Sequence, residues 1–262
     1  MDSIASRNET LDPVVAYNRI APDYARISSE RQPYLDAVDR LVITRIPRGA
    51  RSLLDVGGGN GSRSARIAAA AGVRDIVLLE PSARMRQGCV ADATIWAMRA
   101  EDLASREGSF DAITCLWNVL GHVSPATARV EVLRQFARLI SPRGRIFIDV
   151  NHRYNARHYG APKTAARFLR DLGSRAGANG DVRVAWTVGG EPCVTTGHVF
   201  THREFAGLCQ AAGLRTEERF VIDYASGERR RWSFAGNLTY ILRRSPPEEP
   251  GRLQRSPHRS AG

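Results

Sequence analysis

Lysine is almost missing from this chain: Lys163 is the only one among 38 basic residues, the rest being arginine. The formal charge is still +11. A nucleic-acid surface is one source of such an excess, but an arginine-rich coding habit gives the same count. Part of the surplus also sits in the segment Arg243 to Gly262, which has five arginines against two glutamates. That segment is rich in Pro, Ser and Gly and poor in apolar residues, so it cannot bury enough surface to order itself. Residues 244–262 are therefore expected to be a disordered tail, and the polar residues 1–12 a disordered N-terminus. A nucleic-acid partner is not the favoured reading.

Cysteine is also scarce. Cys89, Cys115, Cys193 and Cys209 are far apart and form no CxxC pair, so buried free thiols are expected rather than disulfides or a metal site. No apolar run approaches the roughly 20 residues that span a bilayer. Met1 to Asp12 lacks the apolar core of a signal peptide. A cytoplasmic protein without membrane contact is expected, either a monomer or a homodimer.

What the chain does contain is an alternation of apolar runs and helical patterns. Tyr17, Ile20, Tyr24 and Ile27 recur at helical spacing. Pro22 divides that stretch into two helices, and Pro33 starts another at Tyr34. Residues 13–46 thus form a helical cap. Strands are expected at Ser52 to Val56, Asp75 to Leu79, Thr94 to Ala97, Phe110 to Leu116 and Arg145 to Val150. Helices at Arg63 to Ala71, Ser82 to Cys89 and Thr127 to Ile140 alternate with them, and Pro142-Arg143-Gly144 is expected to close the last. Continuous apolar strands separated by helices indicate a parallel sheet covered on both faces. Asp181 to Phe200 alternates like a hairpin with Gly189-Gly190 as its turn. Thr201 and Glu204 are spaced as a capping box. Arg215 to Tyr224 and Asn237 to Arg243 read as the last strands.

The strongest chemical signal is Asp55-Val56-Gly57-Gly58-Gly59-Asn60-Gly61, between a strand and a helix. Glycines there let the backbone turn tightly and approach a ligand. Glu80 ends the next strand, where an acidic side chain can accept both hydroxyls of a ribose. Together they make a nucleoside-binding crevice. The glycine spacing differs from the dinucleotide fingerprint, with Ser62 at its third glycine position. A carboxylate at Asp55 suits a cationic ligand better than a pyrophosphate.

Asp55 to Gly61 resembles motif I of the class I S-adenosylmethionine-dependent methyltransferases. Glu80 resembles their ribose-binding acid, Ala100-Glu101-Asp102-Leu103 their adenine-side segment, and Phe110-Asp111-Ala112-Ile113 their fourth-strand motif. The resemblance implies an α/β, Rossmann-like, seven-stranded, mostly parallel sheet in the order 3-2-1-4-5-7-6, filling a domain over residues 13–243. It implies S-adenosylmethionine as cofactor, with Asp55, Gly57, Gly59, Glu80, Pro81, Met85, Ala100, Glu101, Asp102 and Leu116 around it. Family members often carry an aspartate where this chain has Arg99.

Trp117, Asn118 and His122 follow the fourth strand, and Asn118 and His122 are one helical turn apart. This stretch resembles the Asn-x-x-x-His of glycine N-methyltransferase-like enzymes. Asp149 to Asn155 is similar to their segment after strand five. The resemblance implies His122 and Asn118 as catalytic residues, and Tyr17, Tyr24, Trp117, His152, Arg153 and Tyr154 as further acceptor contacts. Arg143 to Arg175 carries eight basic and two acidic residues. With Tyr154, Tyr159 and Phe168 it is expected to form a basic, aromatic lid within a substrate-covering insertion, residues 151–200. The expected activity is methylation of a nitrogen, or an oxygen, of an anionic or heteroaromatic small molecule. An RNA methyltransferase and a non-catalytic cofactor-binding regulator are the alternatives.

Overall fold

A computed structural model describes residues 10–89, 92–174 and 177–246. Three helices open it: α1 (Pro13–Ile20), α2 (Tyr24–Ser29) and α3 (Gln32–Arg45). Asp12 caps α1 by accepting from the Val14 N–H at 2.9 Å, and Pro13 occupies the first turn, where its missing donor is harmless. Pro22 sits in a 3₁₀ turn, Ala21–Asp23, that separates α1 from α2, as expected. The start of the chain is tied down earlier than expected. The Leu11 N–H donates to the Val194 carbonyl at 2.8 Å, and Thr195 Oγ1 donates to the Leu11 carbonyl at 2.7 Å. The expected N-terminal and C-terminal tails otherwise lie mainly outside the described residues.

The strands of the main sheet are β1 (Ser52–Val56), β2 (Asp75–Leu79), β3 (Thr94–Trp96), β4 (Phe110–Cys115), β5 (Ile140–Val150), β8 (Leu214–Ile222), β9 (Arg229–Arg230) and β10 (Asn237–Arg244). Their order is β3-β2-β1-β4-β5-β10-β8-β9. The first five run parallel, and β10 pairs antiparallel with β5 and β8. The expected order 3-2-1-4-5-7-6 is thus present, but the strand count is eight. The added edge strand, β9, is a two-residue pairing made when the chain turns back after Asp223 onto Val221 and Ile222.

The end of the helix before β5 also differs from expectation. Helix α6 (Ala126–Leu139) passes directly into β5 at Ile140, so Pro142-Arg143-Gly144 lies inside the strand. The register shifts between Phe110 and Ala112 opposite it, and a bulge of this kind absorbs a proline that a regular ladder would reject. Gly144 is needed there, since a Cβ would come within 2.9 Å of the Phe110 carbonyl.

Leu53, Leu54 and Val56 of β1 are all buried, as both faces of a central parallel strand require. Each such side chain contributes roughly 1.5–3 kcal/mol by leaving water. One face of the sheet packs against α6 and α9 (His202–Ala211), around Phe136, Phe205 and Tyr240. The other packs against α3 and α4 (Ser62–Ala71), around Tyr34, Val38 and Ile67. Helix α5 (Ala83–Gln87) follows β2, and α7 (Ala156–Tyr159) and α8 (Ala161–Asp171) follow β5. A separate hairpin, β6 (Asp181–Val188) and β7 (Glu191–His198), turns at Gly189-Gly190, where both φ angles are positive, as a two-residue hairpin turn demands. Ala16 and Ile20 of α1 pack on Cys193 of this hairpin in a third small core. Cys115, Cys193 and Cys209 are buried thiols, and no described cysteine is in a disulfide.

Candidate active site

The carboxyl ends of β1, β2 and β4 open into a cleft of about 750 Å³, counting its open mouth. Its floor is the glycine loop. Gly57, Gly59 and Gly61 all have positive φ, so three L-residues would be strained there. Cβ atoms would also collide with neighbours: at Gly57 with the Val119 side chain at 2.7 Å, at Gly59 with Met85 at 2.9 Å. Gly58 lies against Leu78 and Asp55 in the same way.

Glu80 projects from the end of β2. One of its oxygens accepts the Gly59 N–H at 3.0 Å and the other the Ser82 N–H at 2.7 Å. Burial pushes its carboxyl upward, partly offset by those two donors. Pro81, Met85, Ala100, Glu101 and Leu116 line the cleft. Asp55 and Asp102 do not. Asp55 is buried beneath the loop, accepting from Ser64 and, at 2.6 Å, from Thr114 Oγ1, so it braces the loop from below. Asp102 accepts from the Arg99 N–H at 3.2 Å and caps the 3₁₀ helix Ala100–Ser105. Arg63 belongs to no motif in the sequence. It pairs with Asp39 at 2.6 Å, its charge acts on Tyr24, Asp55 and Asp149, and its Nη2 is buried without a partner.

After β4 the backbone makes an uncommon turn. Trp117 and Asn118 both have φ of +61°, a conformation that costs non-glycine residues energy. Asp149 of β5 holds the turn: its carboxylate accepts from the Trp117 N–H, and its carbonyl accepts from the Asn118 N–H at 3.2 Å. Tyr34 donates to the same carboxylate. Spacing puts Asn118 on the same side as His122, and both do line one space. The Asn118 amide also has backbone partners: Nδ2 donates to the His198 carbonyl at 3.2 Å and Oδ1 accepts the Asn151 N–H at 2.9 Å. The amide therefore ties three loops together.

His122 ends the 3₁₀ helix Val119–His122. Its Nδ1 lies 2.9 Å from the Thr196 carbonyl, which can only accept, so Nδ1 carries the proton. Nε2 is then a lone pair, and it faces Tyr17 Oη at 3.2 Å. Burial lowers the imidazole's proton affinity, with the Thr196 bond opposing it. The ring is thus neutral and basic at Nε2.

A second chamber of about 540 Å³, again counting its mouth, adjoins the cleft. Tyr17, Tyr24, Trp117 and His122 line both. The chamber is completed by Trp186 of β6 and by Tyr224 just after β8, whose hydroxyl accepts from Trp117 Nε1 at 3.1 Å. Neither residue was singled out from sequence. Alternation along β6 places Val182, Val184, Trp186 and Val188 on its inner face, and that pattern was the available signal.

The expected lid is only partly in place. The hairpin and α1 cover the chamber, but among the described residues of 151–174 only Asn151 lines it. Arg153 is buried and donates from Nη2 to Asp171 at 2.8 Å, and Tyr154 donates to the other Asp171 oxygen at 2.7 Å. Both line a different pocket, beside α8. His152 is buried too, its N–H bonded to Asn237 Oδ1 at 3.2 Å, and burial drives its pKa down to about 4. Arg153 and His152 turn away because the backbone here pairs with Phe200: the Arg153 N–H donates to the Phe200 carbonyl at 2.8 Å. The acceptor contacts implied by the glycine N-methyltransferase resemblance are therefore not met at these three residues.

Comparison with known proteins agrees with this geometry. A family profile described as a methyltransferase domain matches residues 24–219. No curated protein sequence matches the chain. The CcbJ methyltransferase from Streptomyces caelestis is similar in structure, with a TM-score of 0.60 at 15% identity over 80% of this chain and 90% of that one. The 1,6-didemethyltoxoflavin-N1-methyltransferase of Burkholderia thailandensis, solved with 1,6-didemethyltoxoflavin and S-adenosylhomocysteine, gives a TM-score of 0.57 at 15% identity over 94% of each chain. A sugar N-methyltransferase from Streptoalloteichus gives 0.57 at 18% identity over 94% of this chain and 98% of that one.

Proposed function

The chain belongs to the methyltransferase-domain family, and on that premise we propose that it transfers a methyl group from S-adenosylmethionine to a small molecule held in the aromatic chamber. The observation that carries this reading is the wall shared by cleft and chamber, where Tyr17, Tyr24, Trp117 and His122 face both spaces. A donor in the cleft and an acceptor in the chamber would meet there.

The residues of the cleft fit the cofactor. Each Glu80 oxygen spends one lone pair on a backbone N–H and keeps another for a ribose hydroxyl. The glycine loop leaves room that side chains would fill. Ala100 and Glu101 form the rim on which an adenine would rest. When bound, the cofactor supplies a methyl group on a positively charged sulfur.

The protein's own work is then mostly placement. A well-oriented contact between reactants is worth several kcal/mol of barrier. The Trp117–Asn118 turn, held by Asp149, fixes the wall between the two spaces. Asn118 acts as a positioning residue through its bonds to the loops of His198 and Asn151. His122 Nε2 accepts a proton from the acceptor, and its tautomer is set by Thr196. The acceptor atom is a nitrogen or an oxygen.

Calorimetry with S-adenosylhomocysteine tests the donor half. Wild type should bind, and Glu80→Ala should weaken binding by about 1–3 kcal/mol. Glu80→Gln keeps an acceptor oxygen for only one of the two buried N–H groups and should fall between wild type and Glu80→Ala. No binding by wild type would overturn the reading.

A further inference from the structure

Resting on that reading, we propose that the acceptor is an uncharged, planar aromatic molecule methylated on a hydroxyl, whose proton passes to His122 Nε2. Three observations on the chamber lead there.

The first is shape. Tyr17, Tyr24, Trp117, Trp186 and Tyr224 supply five aromatic side chains to one small space. Tyr17 and Trp186 meet edge to face at 5.9 Å, and Tyr24 and Trp117 are tilted at 5.8 Å. Flat ring walls at these angles accept a flat ligand by offset stacking and edge contacts.

The second is charge. No Asp, Glu, Lys or Arg lines the chamber among the described residues. The arginine expected to hold an anion, Arg153, is neutralised by Asp171 in another pocket. Arg31 stacks on the Tyr224 ring at 4.8 Å but does not line the space. A carboxylate or phosphate entering here would give up its hydration without a cationic partner, with only tyrosine hydroxyls and the Asn118 and Asn151 amides to meet it. An ammonium would find ring faces, but a protonated nitrogen has no lone pair to receive a methyl group, and among the described residues no carboxylate lines the chamber to hold its charge.

The third is the placed base. Among the described residues His122 is the one imidazole of the chamber wall, and its lone pair faces Tyr17, which with it lines both chamber and cleft. A neutral aromatic amine attacks without prior deprotonation, whereas a hydroxyl gains most from a base at this place. Tyr17 Oη now donates to Nε2, and burial raises its proton affinity, so it stays a hydroxyl that an acceptor O–H can displace. In the reaction the acceptor O–H bond breaks and its proton goes to Nε2. The O–CH₃ bond forms as the methyl–sulfur bond breaks, and that bond's electron pair stays on sulfur. His122 then returns its proton to solvent.

The test is calorimetry on the complex with S-adenosylhomocysteine, using three probes of one shape: 2-naphthol, 2-naphthoate and 2-(aminomethyl)naphthalene. 2-Naphthol should bind at least about tenfold more tightly than the anion and the cation. Trp186→Ala should lose about tenfold in 2-naphthol affinity, Trp186→Phe should keep most of it, and both should still bind S-adenosylhomocysteine. With S-adenosylmethionine, wild type should form the methyl ether, and His122→Gln should cut that rate about 100-fold while binding 2-naphthol normally. Equal or tighter binding of a charged probe, no binding of 2-naphthol, or an active His122→Gln variant would overturn the proposal. Failure to bind S-adenosylhomocysteine would instead overturn the underlying reading of the cleft.

Discussion

Arg99 reaches across the rim of the cleft to Asp12, its Nη2 donating to Asp12 Oδ1 at 2.7 Å. Asp12 is at the same time the cap of α1, and Arg99 occupies the position where an aspartate is common in the family that the chain resembles. One ion pair thus joins the adenine side of the cleft to the helix that roofs it.

Both partners are more than two-fifths exposed, so the pair should add at most about 1 kcal/mol to global stability. Arg99→Ala is expected to leave the melting temperature nearly unchanged and to lower S-adenosylhomocysteine affinity several-fold. Limited proteolysis at α1 should show less protection by the ligand than in wild type. Equal protection would mean that the pair does not hold the roof.

The glycine loop makes a sharper prediction. Gly57 has φ of +70°, and a Cβ there meets Val119, a wall residue of the cleft, rather than the ligand space directly. Gly57→Val should abolish S-adenosylhomocysteine binding by calorimetry, because backbone strain of about 1–2 kcal/mol adds to the displacement of Val119. Circular dichroism should report an intact sheet. Gly57→Ala should fall between the two.

His122 sets the pH dependence. Its neutral form is favoured by burial, so its folded pKa lies below the ordinary value near 6.5. Activity needs the neutral ring and should fall only as pH drops through that lowered value. The acid limb of the kcat/KM profile is therefore expected below pH 6.5, with a plateau above it. The same sign applies to stability, which the buried neutral ring contributes fully above the unfolded pKa and loses as pH falls through the folded one. His122→Ala should cut turnover about 10²–10⁴-fold with donor affinity little changed, and should remove the acid limb.

Arg153 separates stability from acceptor binding. Its pair with Asp171 is buried on the arginine side, and removing one partner strands the other. Arg153→Ala should lower the melting temperature by several degrees and leave acceptor KM unchanged at temperatures where it is folded. A raised KM with normal stability would put Arg153 back at the acceptor.

Features carried by neighbours in the chain were legible without coordinates. The loop Asp55 to Gly61, Glu80 at the next strand end, the Gly189-Gly190 turn and the Thr201–Glu204 capping box each depend on residues a few positions apart. Backbone sterics and local hydrogen bonds decide such features, so spacing alone is enough. Apolar runs alternating with helices made a covered parallel sheet legible, while the order of its strands came from the family resemblance.

The acceptor site was decided by tertiary structure. Trp186 comes from a hairpin outside the main sheet, Tyr224 from the turn after β8, and Tyr17 from the N-terminal helix, and only packing brings them within a chamber of about 540 Å³. Asn118 and Arg153 show the converse. Both carry suitable chemistry at suitable positions, yet Asn118 spends its amide on the His198 and Asn151 backbones, and Arg153 is turned to Asp171 by pairing with Phe200. A side chain's direction and its free hydrogen-bonding capacity depend on partners far away in the chain, 80 residues for Asn118 and His198 and 105 for Tyr17 and His122. Sequence by itself determined the donor loop and the sheet that carries it, because those rest on local backbone geometry. Only the folded chain determined which polar groups remain free to meet an acceptor, because burial satisfies the rest.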